Sequence, residues 1–233
     1  MAAVTLRPRT GTGRLCAENH LLAALPVRER EQLMSQLEQV EFARGQVLCP
    51  AGADNEHVYF PTMGLVSLLA VTADGGTVAV ATIGNEGVFG WPQSLDRRPS
   101  SHQMVGEVSG MALRAKSDII CAEFQRSELL AKVLVHYTPR LIAQISQSVV
   151  CHRFHNVLQR LARWLLVVRD QVSSDTLRMT HGDIARVLGI PRTGVTEAAG
   201  ELKNAGVIWY RHGRIVIVSR KRLEREACEC YRL

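Results

Sequence analysis

The residues of this 233-residue sequence best suited to chemistry form a set of hydrogen-bond donors and acceptors near the C-terminus rather than a catalytic constellation. Thr180-His181-Gly182-Asp183 reads as a helix start, with a hydroxyl at the capping position and a carboxylate three residues on that can return the bond. The helix ends at Leu188-Gly189-Ile190, where glycine can take the positive φ of a tight turn, and Pro191 suits the first turn of the next helix. On that second helix Arg192, Thr193, Thr196, Glu197 and Gly200 share the face opposite Val195, Ala198 and Leu202. That free face can read base edges: Arg192 can fork onto guanine, Thr193 and Thr196 can reach a phosphate or a thymine methyl, and Glu197 can accept from cytosine N4. Arg211, His212 and Arg214 cluster around Gly213 between two short β-type runs, a basic hairpin suited to phosphates. With Thr180 they complete the candidate DNA-binding set.

Two helices joined by a glycine turn make a helix-turn-helix, and a basic hairpin directly after it makes the pattern far more specific. Ile184, Leu188, Val195, Ala199 and Leu202 can form the shared core, with small Ala185 where the helices cross. Asn204-Ala205-Gly206 closes the second helix with a C-cap glycine.

Other reactive side chains lead less far. Cys151, His152 and His155 share a helix face at spacings that suit a metal, but no fourth ligand is evident. Cys228-Glu229-Cys230 lacks a second pair of ligands for the same purpose. No metal and no cofactor is therefore expected. His57 and His102 lie in β-type runs without a His-x-His pair, and no nucleophile-base pair is present, so an enzyme is not expected either. The scattered cysteines read as thiols in a reducing compartment.

The elements that must hold the basic face follow from charge and periodicity. The net charge is +6. Residues 1–149 carry 13 Lys and Arg against 14 Asp and Glu, while residues 150–233 carry 15 against 8, so the whole excess lies in the C-terminal third. Phosphate neutralisation supplies most non-specific affinity for DNA, which makes that third the DNA-binding part. Residues 1–18 read as a flexible tail. Leu21, Leu22, Leu25, Leu33, Leu37 and Val40 recur at helical spacing around Pro26. From Val40 to Ala115 short β-type runs follow, cornered by Gly52, Gly64, Gly84 and Gly110, with Ala73-Asp74-Gly75-Gly76 as a hairpin. A helical tract then runs to about Gln171, with breaks near Pro139 and His155. Leu134, Thr138, Leu141, Ile145, Ser148 and His152 form a heptad-like stripe on it, suited to pairing with a two-fold mate through Leu134, Leu141, Ile145 and His152.

The expected fold is therefore α+β: an antiparallel β-roll sensor domain over 19–125, a long dimerisation helix over 126–155, and a winged helix-turn-helix over 156–233. No apolar run is long enough to span a bilayer, and the N-terminus lacks a signal peptide, so a cytoplasmic protein without a membrane partner is expected.

Thr180-x-x-Asp183-Ile184-Ala185-x-x-Leu188-Gly189-x-x-Arg192-x-x-Val195-Thr196, with Leu202-x-x-Ala205-Gly206-Val207-Ile208 and Gly213-Arg214-Ile215-x-Ile217, resembles the Crp/Fnr superfamily of bacterial regulators. The resemblance covers the chain from about Leu21. It implies a cyclic-nucleotide-binding-like β-roll, a homodimer on a near-palindromic operator in double-stranded DNA, and RNA polymerase as a further partner. It also implies that Arg192 reads guanine. Relatives that bind cyclic AMP use a glycine-glutamate pair and an arginine-serine pair. Here Phe89-Gly90-Trp91-Pro92 and Ser100-Ser101-His102-Gln103 stand in those places, without the glutamate or the arginine. Gly90, Trp91, Arg97, Arg98 and His102 remain candidates for an unknown effector, and cyclic AMP binding is not expected. An iron-sulfur cluster held by N-terminal cysteines is not expected either, because only Cys16 lies there.

Overall fold

The computed structural model describes residues 18–91 and 99–232. Two short helices, α1 (His20–Ala23) and α2 (Val27–Met34), lead into strands β1 (Glu38–Phe42), β2 (Val47–Cys49), β3 (His57–Val71), β4 (Thr77–Ile83) and β5 (Gln103–Lys116). Helices α3 (Ser117–Arg126), α4 (Glu128–Phe154) and α5 (Val157–Val172) follow. The C-terminal part holds β6 (Thr176–Arg178), α6 (His181–Leu188), α7 (Arg192–Asn204), β7 (Ile208–Arg211), β8 (Arg214–Ile217), α8 (Arg220–Glu226) and a 3₁₀ turn at Glu229–Tyr231. The expected α+β class with an antiparallel roll and a winged helix-turn-helix is observed. The chain divides into two compact units, one of residues 1–68 and 82–142 and one of residues 69–81 and 143–233.

In the five-stranded sheet, β1, β5, β3 and β4 are successive neighbours, and β2 pairs with β5. The alternation of β1 buries Val40 and Phe42 against β5, so Val40 belongs to a strand and not to the helical entry that its spacing suggested. Gly64 and Gly110 do not turn corners. They lie inside β3 and β5, where the strands approach so closely that a Cβ on Gly110 would stand 2.0 Å from the Met63 carbonyl oxygen. Two expected pairs of short strands are thus two long ones, because glycine here permits backbone contact instead of ending the strand. The expected hairpin does form: Thr72 N donates to Gly76 O, and Gly75 takes φ +87.

Asn19 ties the entry helix to the first unit. Its Oδ1 accepts from the amides of Leu21 and Leu22, and its Nδ2 donates to the carbonyls of Pro61 and Gly87. Leu22, Val58, Phe60, Trp91, Ile120 and Leu134 pack beside it as the core.

Helix α4 runs unbroken through Pro139. The carbonyl that loses its partner there belongs to Val135, an exposed residue, so the missing bond faces outward and the helix continues. The second expected break is real. The helix ends at Phe154, and Asn156 opens α5 with a reciprocal capping box involving Gln159.

The second unit buries Leu161, Leu165, Ile184, Val195, Ala199, Leu202, Ile215 and Leu223 almost completely. Strand β6, which sequence reasoning missed, pairs with β8 so that the order of its sheet is β6-β8-β7. Three residues without clear alternation carry too little periodic signal to mark a strand.

Because the four bonds of Asn19 are buried, Asn19→Ala strands two carbonyls and two amides. Urea denaturation should show a loss of about 1–3 kcal/mol per group left without a partner, less whatever water recovers. A midpoint unchanged from the parent would show that the entry helix does not depend on this residue.

Candidate nucleic-acid interface

The local geometry of the helix-turn-helix follows from its caps. Thr180 Oγ1 accepts from the Asp183 amide at 3.2 Å, while Asp183 Oδ2 accepts from the Thr180 amide at 2.8 Å, and α6 begins there. At the other end Gly189 adopts φ 61 and ψ 43, with its amide bonded to Ala185 O. A Cβ at Gly189 would also stand 2.9 Å from that of Val78, so the position needs glycine for both conformation and space. Pro191 takes the N-cap position of α7, one residue earlier than expected. Helix α7 then closes with two bonds of a Schellman turn, Gly206 N to Lys203 O and Val207 N to Leu202 O, with Gly206 at φ +65.

This frame buries Ile184, Val187, Leu188, Val195, Ala198, Ala199 and Leu202 and leaves Arg192, Thr193 and Glu197 exposed on one face of α7. Thr196 is exposed as well, but its hydroxyl is engaged. It donates to Arg192 O at 3.0 Å, and His181 Nδ1 lies 3.0 Å away. Since the single hydroxyl proton goes to the carbonyl, Thr196 must accept from Nδ1–H, which assigns the tautomer of His181. That ring lies edge-on to Tyr210 at 4.8 Å, and Lys203 Nζ sits 5.2 Å from the tyrosine ring centroid. His181 is a positioning residue that sequence reasoning used only as part of a cap. Its contacts come from α7 and β7, which no local pattern reveals.

Burial, and after it the charge of Arg192, hold the His181 ring below the ordinary histidine pKa. Its Nε2 is buried without a partner among the described residues, so protonation would add a donor with nowhere to go. Both effects favour the neutral ring.

The wing is a two-residue hairpin with His212 at φ 47 and Gly213 at φ 72, flanked by the directly paired Arg211 and Arg214. Strand β6 extends the row, because Arg178 pairs with Arg214 on the other side. Three exposed arginines thus stand in register across β6, β8 and β7. Directly opposite like charges destabilise a sheet, so the row makes physical sense beside a polyanion. Arg178 was absent from the expected set, since it becomes visible only through the register of β6. Met179, Thr180, His181, Arg192, Thr196, Tyr210, His212 and Arg214 line one concave hollow between the start of α7 and the wing.

Gly194 and Gly200 have no close neighbour, so helix packing does not account for them. The candidate effector residues of the first unit divide differently. Trp91 is 2% exposed and packs on Phe124 at 4.7 Å within the core, which explains its burial without any ligand. Gly90 O accepts from Asn55 Nδ2, and His102 is half-buried with Nδ1 near Ser101 Oγ. Arg97 and Arg98 lie outside the described residues.

The dimerisation stripe needs a correction. Leu134 is fully buried in the core of its own unit, with Leu141 packed against it, and Ser148 is buried too. Among the apolar residues that α4 exposes, Leu129, Val135, Ile142, Val149, Val150 and Phe154, the three at Val135, Ile142 and Val149 keep the seven-residue spacing one position further along. Ile145 and His152 lie between the two rows, and His152 Nδ1 bonds to Ser148 O. A one-residue step rotates the side chain by about 100°, so the rows differ in direction although their period is the same.

Comparison with known proteins agrees with this architecture. Over 84–87% of its length the chain is 27% identical to a global nitrogen regulator of Synechococcus elongatus, covering 95% of that protein, and 26% identical to a CRP-like cAMP-activated global transcriptional regulator of Mycobacterium tuberculosis, covering 90%. The structure of FixK2 from Bradyrhizobium japonicum superposes with a TM-score of 0.68 at 18% identity, over 82% of this chain and 98% of that one. Residues 39–133 match the cyclic nucleotide-binding domain model and residues 159–226 the Crp-like helix-turn-helix model, and with the folds just described the chain belongs to the Crp/Fnr family of transcription regulators.

Proposed function

We propose that this regulator works in the cytoplasm as a homodimer on a near-palindromic operator, as a DNA-binding protein and not as an enzyme, with RNA polymerase as a further partner. The observation that carries the reading is the juxtaposition, within one unit, of an exposed Arg192 at the start of α7 and the arginine row on the wing. Arg192 forks onto a guanine and specifies sequence, supported by Thr193 and Glu197. Arg178, Arg211, His212 and Arg214 hold phosphates and position the domain. The dimer forms along α4 through Val135, Ile142 and Val149 alternating with Thr138, Ile145 and His152, a heptad order that lies on the exposed side of the helix. Among the described residues no helix is long and apolar enough to cross a membrane, which is consistent with this setting.

The β-roll is read as a sensor that does not respond to cyclic AMP. The regulator of M. tuberculosis is cAMP-activated, and the matching domain model is that of cyclic nucleotide binding. Here the segments at 89–92 and 100–103 carry neither the carboxylate for a ribose nor the arginine for a phosphate, and Trp91 serves the core. The effector stays unassigned.

Titrations on cognate, single-substituted and random duplexes at several salt concentrations test the division of labour. Arg192→Ala should cost about 1–3 kcal/mol on the cognate site and flatten preference at one base pair per half-site. Neutralising Arg178, Arg211 or Arg214 should weaken every duplex alike and lower the salt slope by about one per contact. Equal loss on all duplexes for Arg192→Ala would assign it to phosphate instead.

Sedimentation separates the two rows of α4. Ile142→Asp should yield monomer, and the half-sites of the parent's operator should lie about 34 Å apart. A dimeric Ile142→Asp protein places the interface elsewhere.

Acidification provides a third measurement. The folded pKa of His181 lies below the ordinary value of 6.5, so its contribution is complete above that value and declines as the pH falls below it. His57 and His102 shift in the same direction, chiefly through burial, and the parent should lose thermal stability as the pH falls below about 6.5. His181→Gln removes one share, so the stability gap between parent and variant should narrow on acidification. A gap that stays constant would show that His181 does not titrate in this window.

A further inference from the structure

Cys151 and His155 stand one helical turn apart at the C-terminal end of α4, where the His155 amide still bonds to Cys151 O. The segment after α8 returns to this point and delivers Cys228 and Cys230. The ligand atoms of these four residues all lie within 4.8 Å of one another. Cys151 Sγ and Cys228 Sγ are 3.6 Å apart, and Cys230 Sγ is 3.5 Å from His155 Nδ1. Bonds of about 2.3 Å from zinc to sulfur and about 2.0–2.1 Å to nitrogen give tetrahedral edges of about 3.8 Å between thiolates and about 3.6 Å between thiolate and imidazole. The Cys151–Cys228 and Cys230–His155 separations match those edges before any ion is placed, and the widest separation in the set is no more than 4.8 Å.

The surroundings complete the chemistry. His155 turns Nδ1 to the sulfurs, while its Nε2 lies 3.1 Å from Glu229 Oε1, the outer carboxylate that fixes the tautomer of a metal-bound imidazole. Gln147 Nε2 donates to Cys230 Sγ at 2.9 Å, and Arg163 Nε donates to the Cys230 carbonyl at 3.3 Å. The three cysteines are buried and the His155 side chain is 11% exposed, so the set is closed. Four protein ligands leave no open position, which marks a structural site and not a catalytic one. The spacing admits one ion and leaves no room for a multi-iron cluster. A Cys151–Cys228 disulfide would need the sulfurs to close to about 2.05 Å and would leave Cys230 and His155 without a role. Sequence reasoning saw both halves, Cys151 with His155 and Cys228 with Cys230, and set each aside for want of the other. His152 does not join them, because its Nδ1 bonds to Ser148 O.

We propose that Cys151, His155, Cys228 and Cys230 hold a single zinc-class divalent cation that clips the C-terminal segment to the turn between α4 and α5. On binding, the three thiols release their protons to solvent and four metal-ligand bonds form, with no change of oxidation state.

Elemental analysis of the untagged full-length protein, purified under reductant, should find about one zinc per chain. Cys49→Ser and Cys121→Ser should keep it, while the double variant Cys228→Ser/Cys230→Ser and the single variant Cys151→Ser should lose it. Because those variants can misfold, the parent is also stripped and reloaded with Co²⁺. The proposal expects the intense visible absorption of a tetrahedral ion and a thiolate-to-cobalt charge-transfer band. Absence of both ions from the reduced, folded parent overturns the site, as does full metal content in the double variant. Peptide mapping that finds a Cys151–Cys228 disulfide and no metal overturns it in favour of a redox pair.

Discussion

The DNA-facing geometry depends on one constraint, the way helix α6 is made to stop. Its last carbonyl, that of Leu188, accepts from the guanidinium of Arg160, an 8% exposed arginine on α5. One residue later the chain takes the left-handed conformation at Gly189. A helix C-terminus carries partial negative charge on unpaired carbonyls, and a buried cation placed there recovers part of what its desolvation costs. Arg160 Nε finds no acceptor among the described residues, so the recovery is incomplete. What the arrangement secures is direction. With α6 ended at Leu188 and φ positive at Gly189, Pro191 and α7 have one way to leave, and the exposed face of α7 is set by α5 rather than by α7 itself.

The electrostatics of that face obey the same economy. Among the acidic groups near the wing, Asp183 is occupied in capping α6, where it accepts from both the amide and the hydroxyl of Thr180. Among the described residues Arg178, Arg214 and Arg211 form no ion pair, which leaves their charge on the exposed side of the sheet. Burial and Arg192 favour the neutral form of His181, so the charge at the start of α7 rests on Arg192, the side chain able to fork. Glu197 stands apart on the reading face as an acceptor. In the proposed division of labour, phosphate holding and base reading fall to different elements, a three-stranded sheet and a helix, and each is held by its own contacts.

What the sequence made legible was whatever depends on neighbours in the chain. The capping box at Thr180, the glycine turn at Gly189, the Schellman glycine at Gly206 and the Arg211–Arg214 hairpin are local, and all were readable from residue type. What escaped depends on partners distant in sequence. Arg178 joins the basic row only through pairing of β6 with β8. Gly64 and Gly110 looked like corners because a glycine that admits a neighbouring backbone and a glycine that turns the chain look alike in one dimension. Trp91 became a ligand candidate because the resemblance sets Phe89-Gly90-Trp91-Pro92 opposite the stretch that relatives use for a nucleotide, yet its neighbours in space are Phe124 and the core.

Helix α4 shows the limit most clearly. Rows at Leu134, Leu141, Ser148 and at Val135, Ile142, Val149 have the same seven-residue period, and the residues between them serve either row. Periodicity can establish that two apolar seams exist, but not which of them the protein's own core will claim, because that depends on where β-strands and α3 lie. With Leu134 and Ser148 of the first row buried and Leu141 packed against the core, the second row belongs to the apolar surface left over, to which Leu129, Val150 and Phe154 also contribute. Val135, Ile142 and Val149 are 56%, 57% and 63% exposed on one side of a continuous helix. Three β-branched residues at heptad spacing are too regular for scattered surface hydrophobes, and that spacing is the form the proposed two-helix contact would use. The same helix ends beside Cys151 and His155, so the element that offers the proposed dimer seam also carries half of the proposed cation site. Any ion held there would fix the end of that seam to the last residues of the DNA-binding domain.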